Sequence, residues 1–224
     1  MRFSIAVPCP QCGNPITVKA VGAQKLPDAK CTRCGAVLYS ADSSTVSMRV
    51  LHRAQQEIDN GDFTLSIILS AMAVECEIAT LFFKWKRVDF HMADTSRDVR
   101  VTEEQEQEWE NEFRRWYAVT QKLDNFSKLM TRIDFDAFVS GDATLTKRFA
   151  GIQAASNSTS PKKVFVEQLF GRRNRILHSG KVDFGKLDAA DCFKQARNLL
   201  TIIAAMDRAR YERVFPPQQS TSSI

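Results

Sequence analysis

Apolar residues recur at helical spacing along most of the chain, and this pattern predicts a mainly α-helical protein. The predicted helix over about 63–87 is apolar on most of its faces, so we expect it to form the centre of a helical bundle. The other helices carry a narrower apolar stripe, which suits one buried face each. In chain order, helices are predicted over about 44–59, 63–87, 103–131, 134–150, 161–178 and 187–214.

Two polar segments between these helices are predicted to be irregular, one over 88–101 and one over 151–160. With the helices between them they form an insertion in the bundle, over about 88–160. Trp109 and Trp116 lie on one face of the inserted helix. This spacing favours packing in the core over stacking on nucleobases.

The longest apolar run, Thr64 to Phe83, is long enough to span a membrane, but Glu75 and Glu77 lie inside it. Two carboxylates without partners are costly in a lipid bilayer, so a buried core helix is the better interpretation. The two glutamates are about 200° apart on a helix, so at most one of them points into the core. Only a short apolar patch follows Met1, which does not suit a signal peptide. We therefore expect a soluble cytoplasmic protein with no membrane partner.

Residues 1–40 are predicted to form a separate small domain that binds zinc. Two C-x2-C pairs, each followed by glycine, suit a tetrahedral Zn²⁺ site of four thiolates, and short apolar stretches near them are typical of strands. The four ligands would be Cys9, Cys12, Cys31 and Cys34. This pattern resembles a zinc ribbon, in which the metal is structural. Two disulfides are the alternative, which a cytoplasmic location disfavours.

Positive charge is concentrated in two segments of this 224-residue chain of net charge +5. Residues 1–40 carry five Lys/Arg against one acid, and residues 161–214 carry twelve against six. Residues 41–160 carry fourteen against nineteen. Such an arrangement suits a polyanionic partner, although a solvated basic surface has the same composition.

The segment 170–180 holds three arginines, an asparagine and a histidine. Arginine has a planar set of donors that fits phosphate oxygens, and histidine is the side chain that transfers protons near neutral pH. Asn174 and His178 are about 40° apart on a helix, whereas about 140° separates Arg173 from His178. Either the helix ends near His178, or Arg173 of one copy approaches His178 of a second copy across a two-fold axis.

The order Arg173-Asn174-x3-His178, late in a helical domain, resembles the R-x(4–6)-H motif of the HEPN superfamily. The resemblance extends over about 41–214, although only the motif is specific. It implies a homodimeric, metal-independent endoribonuclease in which the 2′-hydroxyl of RNA attacks the neighbouring phosphate. His178 would act as general base or acid, and Arg173 would stabilise the phosphate.

Further roles are assigned to residues near this motif. Asn174 would orient His178 or hold a phosphate oxygen. The resemblance also implies an acidic residue on the second helix near the motif, and we assign this role to Glu75, which can pair with Arg172 or Arg173. The residues predicted to bind RNA outside the catalytic group are Arg172, Arg175 and Lys181.

Other interpretations of the motif stay open. His178 can instead interact with the last carbonyls of its helix, and the arginines can form a solvated or ion-paired face. Many HEPN-like domains are interaction modules or are neutralised by an antitoxin or other protein partner. The chain can therefore be a toxin, a phage-defence effector or a non-catalytic subunit of a defence or regulatory complex. A zinc-ribbon regulator that binds DNA is a third possibility, but no recognition helix accompanies the ribbon.

Overall fold

A computed structural model of the chain divides it into two compact units, Met1–Arg49 and Val50–Ile224. The division predicted from the sequence, into 1–40 and 41–215 with a disordered tail over 216–224, stays a prediction. The residues that the structure describes are 2–8, 15–21, 29–30, 32–33, 37–38, 46–93, 101–147, 159–180 and 183–216.

The first unit contains two pairs of antiparallel strands. Strand β1 (Arg2–Pro8) pairs with β2 (Pro15–Val21), and the register places Arg2 opposite Val21 and Pro8 opposite Pro15. Strand β3 (Ala29–Lys30) pairs with β4 (Val37–Leu38). The predicted zinc ligands Cys9, Cys12, Cys31 and Cys34 lie outside the described residues.

The second unit is a helical bundle, and the prediction of a mainly helical protein is confirmed. The helices are α1 Val46–Asn60, whose first residues belong to the first unit, α2 Phe63–Ala93, α3 Glu103–Arg114, α4 Val119–Thr131, α5 Phe135–Gly141, α6 Pro161–Phe165, α7 Gly171–Ser179 and α8 Lys186–Val214. Residues 143–147, after α5, are also helical. A π-helical turn, Val166–Phe170, joins α6 and α7.

Helices α2 and α8 pack together in the centre of the bundle. Trp85 of α2 is fully buried and donates its indole N–H to Asp207 Oδ1 of α8 at 2.5 Å. Within the described part of the chain, α2 alone is long and apolar enough to span a membrane, and 50% of its most apolar window is buried inside the bundle. The cytoplasmic location stays a prediction.

Two predicted helix boundaries are wrong. Helix α2 continues through 88–93, because Val88 and Phe90 pack against the core. The single helix predicted over 103–131 is two helices, because the chain turns after α3 and buries Trp116. The Trp116 ring packs edge-on against the Phe82 ring, with 5.0 Å between the ring centroids.

The helix predicted over 134–150 is also interrupted, at Asp142. The backbone of Asp142 is extended, with φ −106° and ψ 115°, so α5 ends there. The Asp142 carboxylate accepts hydrogen bonds from the backbone N–H groups of Thr144 and Leu145 at 2.8 and 2.9 Å. A short aspartate side chain therefore ends one helical segment and caps the next. Of the loop predicted over 151–160, residues 151–158 lie outside the described residues.

Arg210 connects three helices from a buried position on α8. Its guanidinium donates to both carboxylate oxygens of Asp89 on α2, at 2.7 and 2.5 Å, and to the carbonyl of Leu129 on α4, at 2.5 Å. It also lies 4.7 Å from the centroid of the Trp85 ring. The residue is only 5% exposed, so these contacts form with little competition from water.

We expect Arg210→Met to lower the free energy of unfolding by about 2–3 kcal/mol, because the Leu129 carbonyl loses its donor and Asp89 loses its partner. Asp89 is half-exposed, which keeps the loss below that of a fully buried pair. Urea unfolding followed by circular dichroism measures it. The exposed Arg208 on the same helix is the matched control, and Arg208→Met should leave the midpoint unchanged. Equal effects of the two substitutions would contradict this role for Arg210.

Candidate functional site

The segment that carries the motif is a helix with a π-helical turn inside it. Ser160 begins it, since its hydroxyl accepts a hydrogen bond from the Lys163 N–H at 3.2 Å and Pro161 occupies the first turn. Gly171 donates its backbone N–H to the carbonyl of Val166, five residues earlier. A Cβ atom at Gly171 would lie 3.3 Å from that carbonyl oxygen, so glycine suits this close approach.

The π-helical turn changes which side chains face the core immediately before the motif. Val164, Phe165, Leu169 and Phe170 are all buried. Because a π turn adds one residue to a turn, side chains five positions apart can share a face, which a regular α-helix does not allow. Regular α-helix resumes at Gly171, so α7 enters the bundle with the orientation that this turn imposes.

The end of α7 follows the Ser179-Gly180 signal in the sequence. Gly180 has φ +61°, a left-handed conformation that favours glycine, and its N–H donates to the Ile176 carbonyl at 3.1 Å. His178 therefore lies in the last helical turn. Its side chain and that of Asn174 are exposed on the outer face of α7.

Arg173 faces inward and belongs to a cluster of three charges, which we call the Glu75 cluster: Arg173 of α7, Glu75 of α2 and Lys122 of α4. Arg173 Nη2 donates to Glu75 Oε1 at 3.1 Å, and Lys122 Nζ is 3.5 Å from the same oxygen. The Arg173, Glu75 and Lys122 side chains are 18%, 25% and 20% exposed. One carboxylate oxygen therefore pairs with two cations, and all three side chains are partly exposed to solvent.

Arg172 points to the other side of α7 and is held by α8. Its Nη1 donates to Asp191 Oδ2 at 2.7 Å and to the Asp188 carbonyl at 3.3 Å, and it contacts the Cys192 thiol at 3.6 Å. The Glu75 contact therefore goes to Arg173, and Arg172 has two other carboxylates as neighbours. Through these contacts Arg172 joins α7 to α8. Its role in RNA binding stays a prediction.

The remaining predicted residues lie on or beyond the outer face. Arg175 is exposed, and its guanidinium lies 5.8 Å from the centroid of the Phe184 ring. Lys181 lies outside the described residues. Leu177 is 53% exposed although it is apolar, and it is one helical turn beyond Arg173.

One copy of the chain does not bring Arg173 and His178 together. Both belong to the regular helix α7, so about 140° around the axis and about 7.5 Å along it separate them. Arg173 is turned toward α2 and α4, and His178 toward solvent. A site that contains both side chains therefore requires a second copy or a ligand large enough to contact both.

The two cysteines outside the predicted zinc ligands have environments that suppress reactivity. Burial, and then Glu75 and Glu77, raise the pKa of the Cys76 thiol. Burial raises the pKa of Cys192, against the opposing effect of Arg172. Both thiols are therefore neutral near pH 7, which does not suit a nucleophile or redox centre. Among the described residues, no group of three or more His, Cys, Asp or Glu could hold a metal ion.

Comparisons with known proteins found no match for this chain among protein-family models, curated proteins or solved structures. Lys122 is the site residue that the sequence did not indicate. It lies in the first turn of α4, far along the chain from the motif, and only the packing of α4 against α8 and the π-helical turn brings it to Glu75.

Proposed function

We propose that the chain is a HEPN-type, metal-independent endoribonuclease with an N-terminal zinc ribbon. The observation that carries the proposal is the placement of the motif. Arg173 is oriented by Glu75 in a mostly buried position, while His178 and Asn174 are exposed in the last turns of the same helix. Phosphodiester cleavage needs a positioned cation and an accessible proton-transfer group at one phosphate, and two copies of the helix can supply both.

In this mechanism His178 removes the proton from the 2′-hydroxyl, or donates one to the leaving 5′-oxygen. The 2′-oxygen forms a bond to phosphorus as the bond from phosphorus to the 5′-oxygen breaks. Arg173 stabilises the negative charge that grows on the phosphate oxygens. Asn174, one helical turn before His178 on the same face, orients the imidazole or holds a phosphate oxygen. The products carry 2′,3′-cyclic phosphate and 5′-hydroxyl ends.

The active form is proposed to be a homodimer in which Arg173 and His178 come from different copies. Arg173 and His178 of one copy are far apart on α7, which supports this arrangement. A two-fold axis beside the helix would place Arg173 of one copy next to His178 of the other. The exposed Leu177 adds apolar surface at the position where a second copy would pack.

Mixing two inactive variants tests the dimer directly. Arg173→Ala and His178→Ala should each lower cleavage by about 100-fold or more. A mixture of the two variants that is unfolded and refolded together should regain about a quarter of wild-type activity. Half of the refolded dimers would be mixed, and each mixed dimer would contain one intact site. A mixture that stays inactive, with mixed dimers present by mass spectrometry, would refute a site shared between copies.

The first unit is proposed to be a zinc ribbon in which Cys9, Cys12, Cys31 and Cys34 hold a structural Zn²⁺. Strand pairing supports this: the segment 9–14 separates two paired strands and holds one C-x2-C, and the segment 31–36 separates another pair and holds the second. Four thiolates leave no open position on zinc, so the metal would stabilise the fold and take no part in cleavage.

A second function of another class is favoured by a specific observation. Arg172 and Arg173 already have carboxylate partners, so the motif can be a packing element of a non-catalytic subunit. The chain would then bind nucleic acid or a protein partner, such as an antitoxin, within a defence or regulatory complex. This function would be favoured if wild-type protein and His178→Ala both bind RNA and both leave it intact.

A further inference from the structure

We propose that Lys122 and Arg173 together bind one phosphodiester group of single-stranded RNA, and that Glu75 is their counter-ion when no RNA is bound. This inference rests on the proposed function, because it assigns a further phosphate-binding residue to the same site. Lys122 is on α4, within the segment predicted as an insertion, and has no place in the motif.

The charges of the Glu75 cluster support this assignment. Two cations share a single carboxylate oxygen, which leaves one positive charge uncompensated within the cluster. Lys122 Nζ is 3.5 Å from Glu75 Oε1, longer than a tight charge-assisted hydrogen bond of about 2.7–2.9 Å. Arg173 Nε is buried, so an anion can reach this guanidinium only through its Nη atoms. Lys122 Nζ has three donors, of which Glu75 Oε1 takes at most one.

Aromatic rings position both cations without neutralising them. Lys122 Nζ lies 5.8 Å from the centroid of the Phe113 ring, and the Arg173 guanidinium lies 5.8 Å from that of Phe170. The Phe113 ring in turn packs against Phe82 at 5.1 Å between centroids, so it is held by the core. The face of an aromatic ring attracts a cation but adds no counter-charge. The charge is thus fixed in place and stays available to a ligand.

An alternative role for Lys122 is purely structural, as a partner that neutralises Glu75. The two roles predict opposite effects of removing the Glu75 charge. If Glu75 competes with the ligand, Glu75→Gln should strengthen binding of a polyanion. If the three charges only stabilise helix packing, the same substitution should weaken binding or leave it unchanged.

The experiment measures binding of a fluorescent single-stranded 2′-O-methyl RNA, which cannot be cleaved because its 2′-oxygen is blocked. Fluorescence anisotropy gives Kd over a series of salt concentrations. Lys122→Met should weaken binding at least fivefold and make the slope of log K against log salt shallower by about 0.7, the value for one lost phosphate contact. Glu75→Gln should tighten binding.

Lys128 provides the matched control, because it is exposed on the same helix and outside the cluster. Lys128→Met should leave both Kd and slope near wild type, and Lys122→Arg, which keeps the charge, should restore both. Equal effects of Lys122→Met and Lys128→Met, weaker or unchanged binding by Glu75→Gln, or failure of Lys122→Arg to restore binding would overturn the proposal. Circular dichroism checks that each variant is folded.

The outcomes separate this inference from the proposed function. If the probe binds with the expected pattern but wild-type protein leaves unmodified RNA intact, the phosphate site stands and the ribonuclease proposal fails. If the protein cleaves RNA but Lys122→Met binds the probe as wild type does, the ribonuclease proposal stands and Lys122 has no role in phosphate binding.

Discussion

His178→Ala should lower the rate of RNA cleavage by about 100- to 10,000-fold, the usual contribution of a general acid or base. The exposed position of His178 at the end of α7 predicts this loss without loss of the fold, because the substitution removes no buried contact. Cleavage of a labelled RNA by purified protein, with a chelator of divalent metals present, measures the rate.

The histidine His91 is the matched control for this experiment. It also lies exposed in the last turn of a helix, α2, where its ring contacts Phe90 at 5.5 Å between centroids. His91→Ala should cleave RNA at the wild-type rate. This result would show that removing a histidine from the end of a helix does not by itself cause the loss of cleavage seen in His178→Ala. Cleavage by His178→Ala at the wild-type rate would remove His178 from the mechanism.

The chemical groups at the ends of the RNA products distinguish this mechanism from metal-dependent hydrolysis. Attack by the 2′-hydroxyl leaves a 2′,3′-cyclic phosphate, and DNA should stay intact because it lacks the nucleophile. Products with 5′-phosphate ends, or cleavage that stops when the chelator is added, would contradict the proposed chemistry. Wild-type protein that leaves RNA intact under all conditions would shift the weight to the non-catalytic function.

Cys31→Ser should abolish zinc binding and unfold the first unit. Four thiolates bind structural Zn²⁺ with about 10–16 kcal/mol in small zinc domains, and so small a unit has little apolar core to replace that energy. We expect about one zinc per chain in the wild-type protein and close to none in the variant. Metal analysis gives the zinc content, and limited proteolysis should show cleavage within residues 1–49 of the variant alone.

Cys76→Ser is the control, because Cys76 belongs to α2 and has a raised pKa that disfavours the thiolate which zinc requires. This variant should keep its zinc. The helical circular dichroism signal should persist in both variants, since most helices lie in the second unit and have their own core. A zinc-free wild-type protein whose four N-terminal cysteines resist alkylation until a reductant is added would instead support two disulfides.

The helices were predictable from the sequence because each needs only local information. An apolar stripe, a capping residue and a breaking glycine all act within a few residues, which is why α1, α2, α6 and α8 begin close to their predicted positions. Strand β1 was missed, although Phe3, Ile5 and Val7 alternate with smaller or polar residues in the pattern of a half-buried strand.

Tertiary contacts decided where the longer helices end or break. The polar residues after 87 suggested an irregular segment, but the helix continues because Val88 and Phe90 pack against the core and Asp89 accepts hydrogen bonds from Arg210 of α8. The uninterrupted helical pattern over 103–131 gave no sign of a break, and at the break Trp116 is buried against the Phe82 ring. In both places, packing between distant segments overrides local preference.

The chemistry of the candidate site was visible in the sequence, and its geometry was not. The motif residues and their order are properties of the chain, and so are the four cysteines with zinc-ligand spacing. Which arginine meets Glu75, and that Lys122 shares that carboxylate, depends on how α2, α4 and α7 pack. Side chains that are far apart in sequence meet only when helices bury their apolar faces, and this burial sets the direction in which each charged group points.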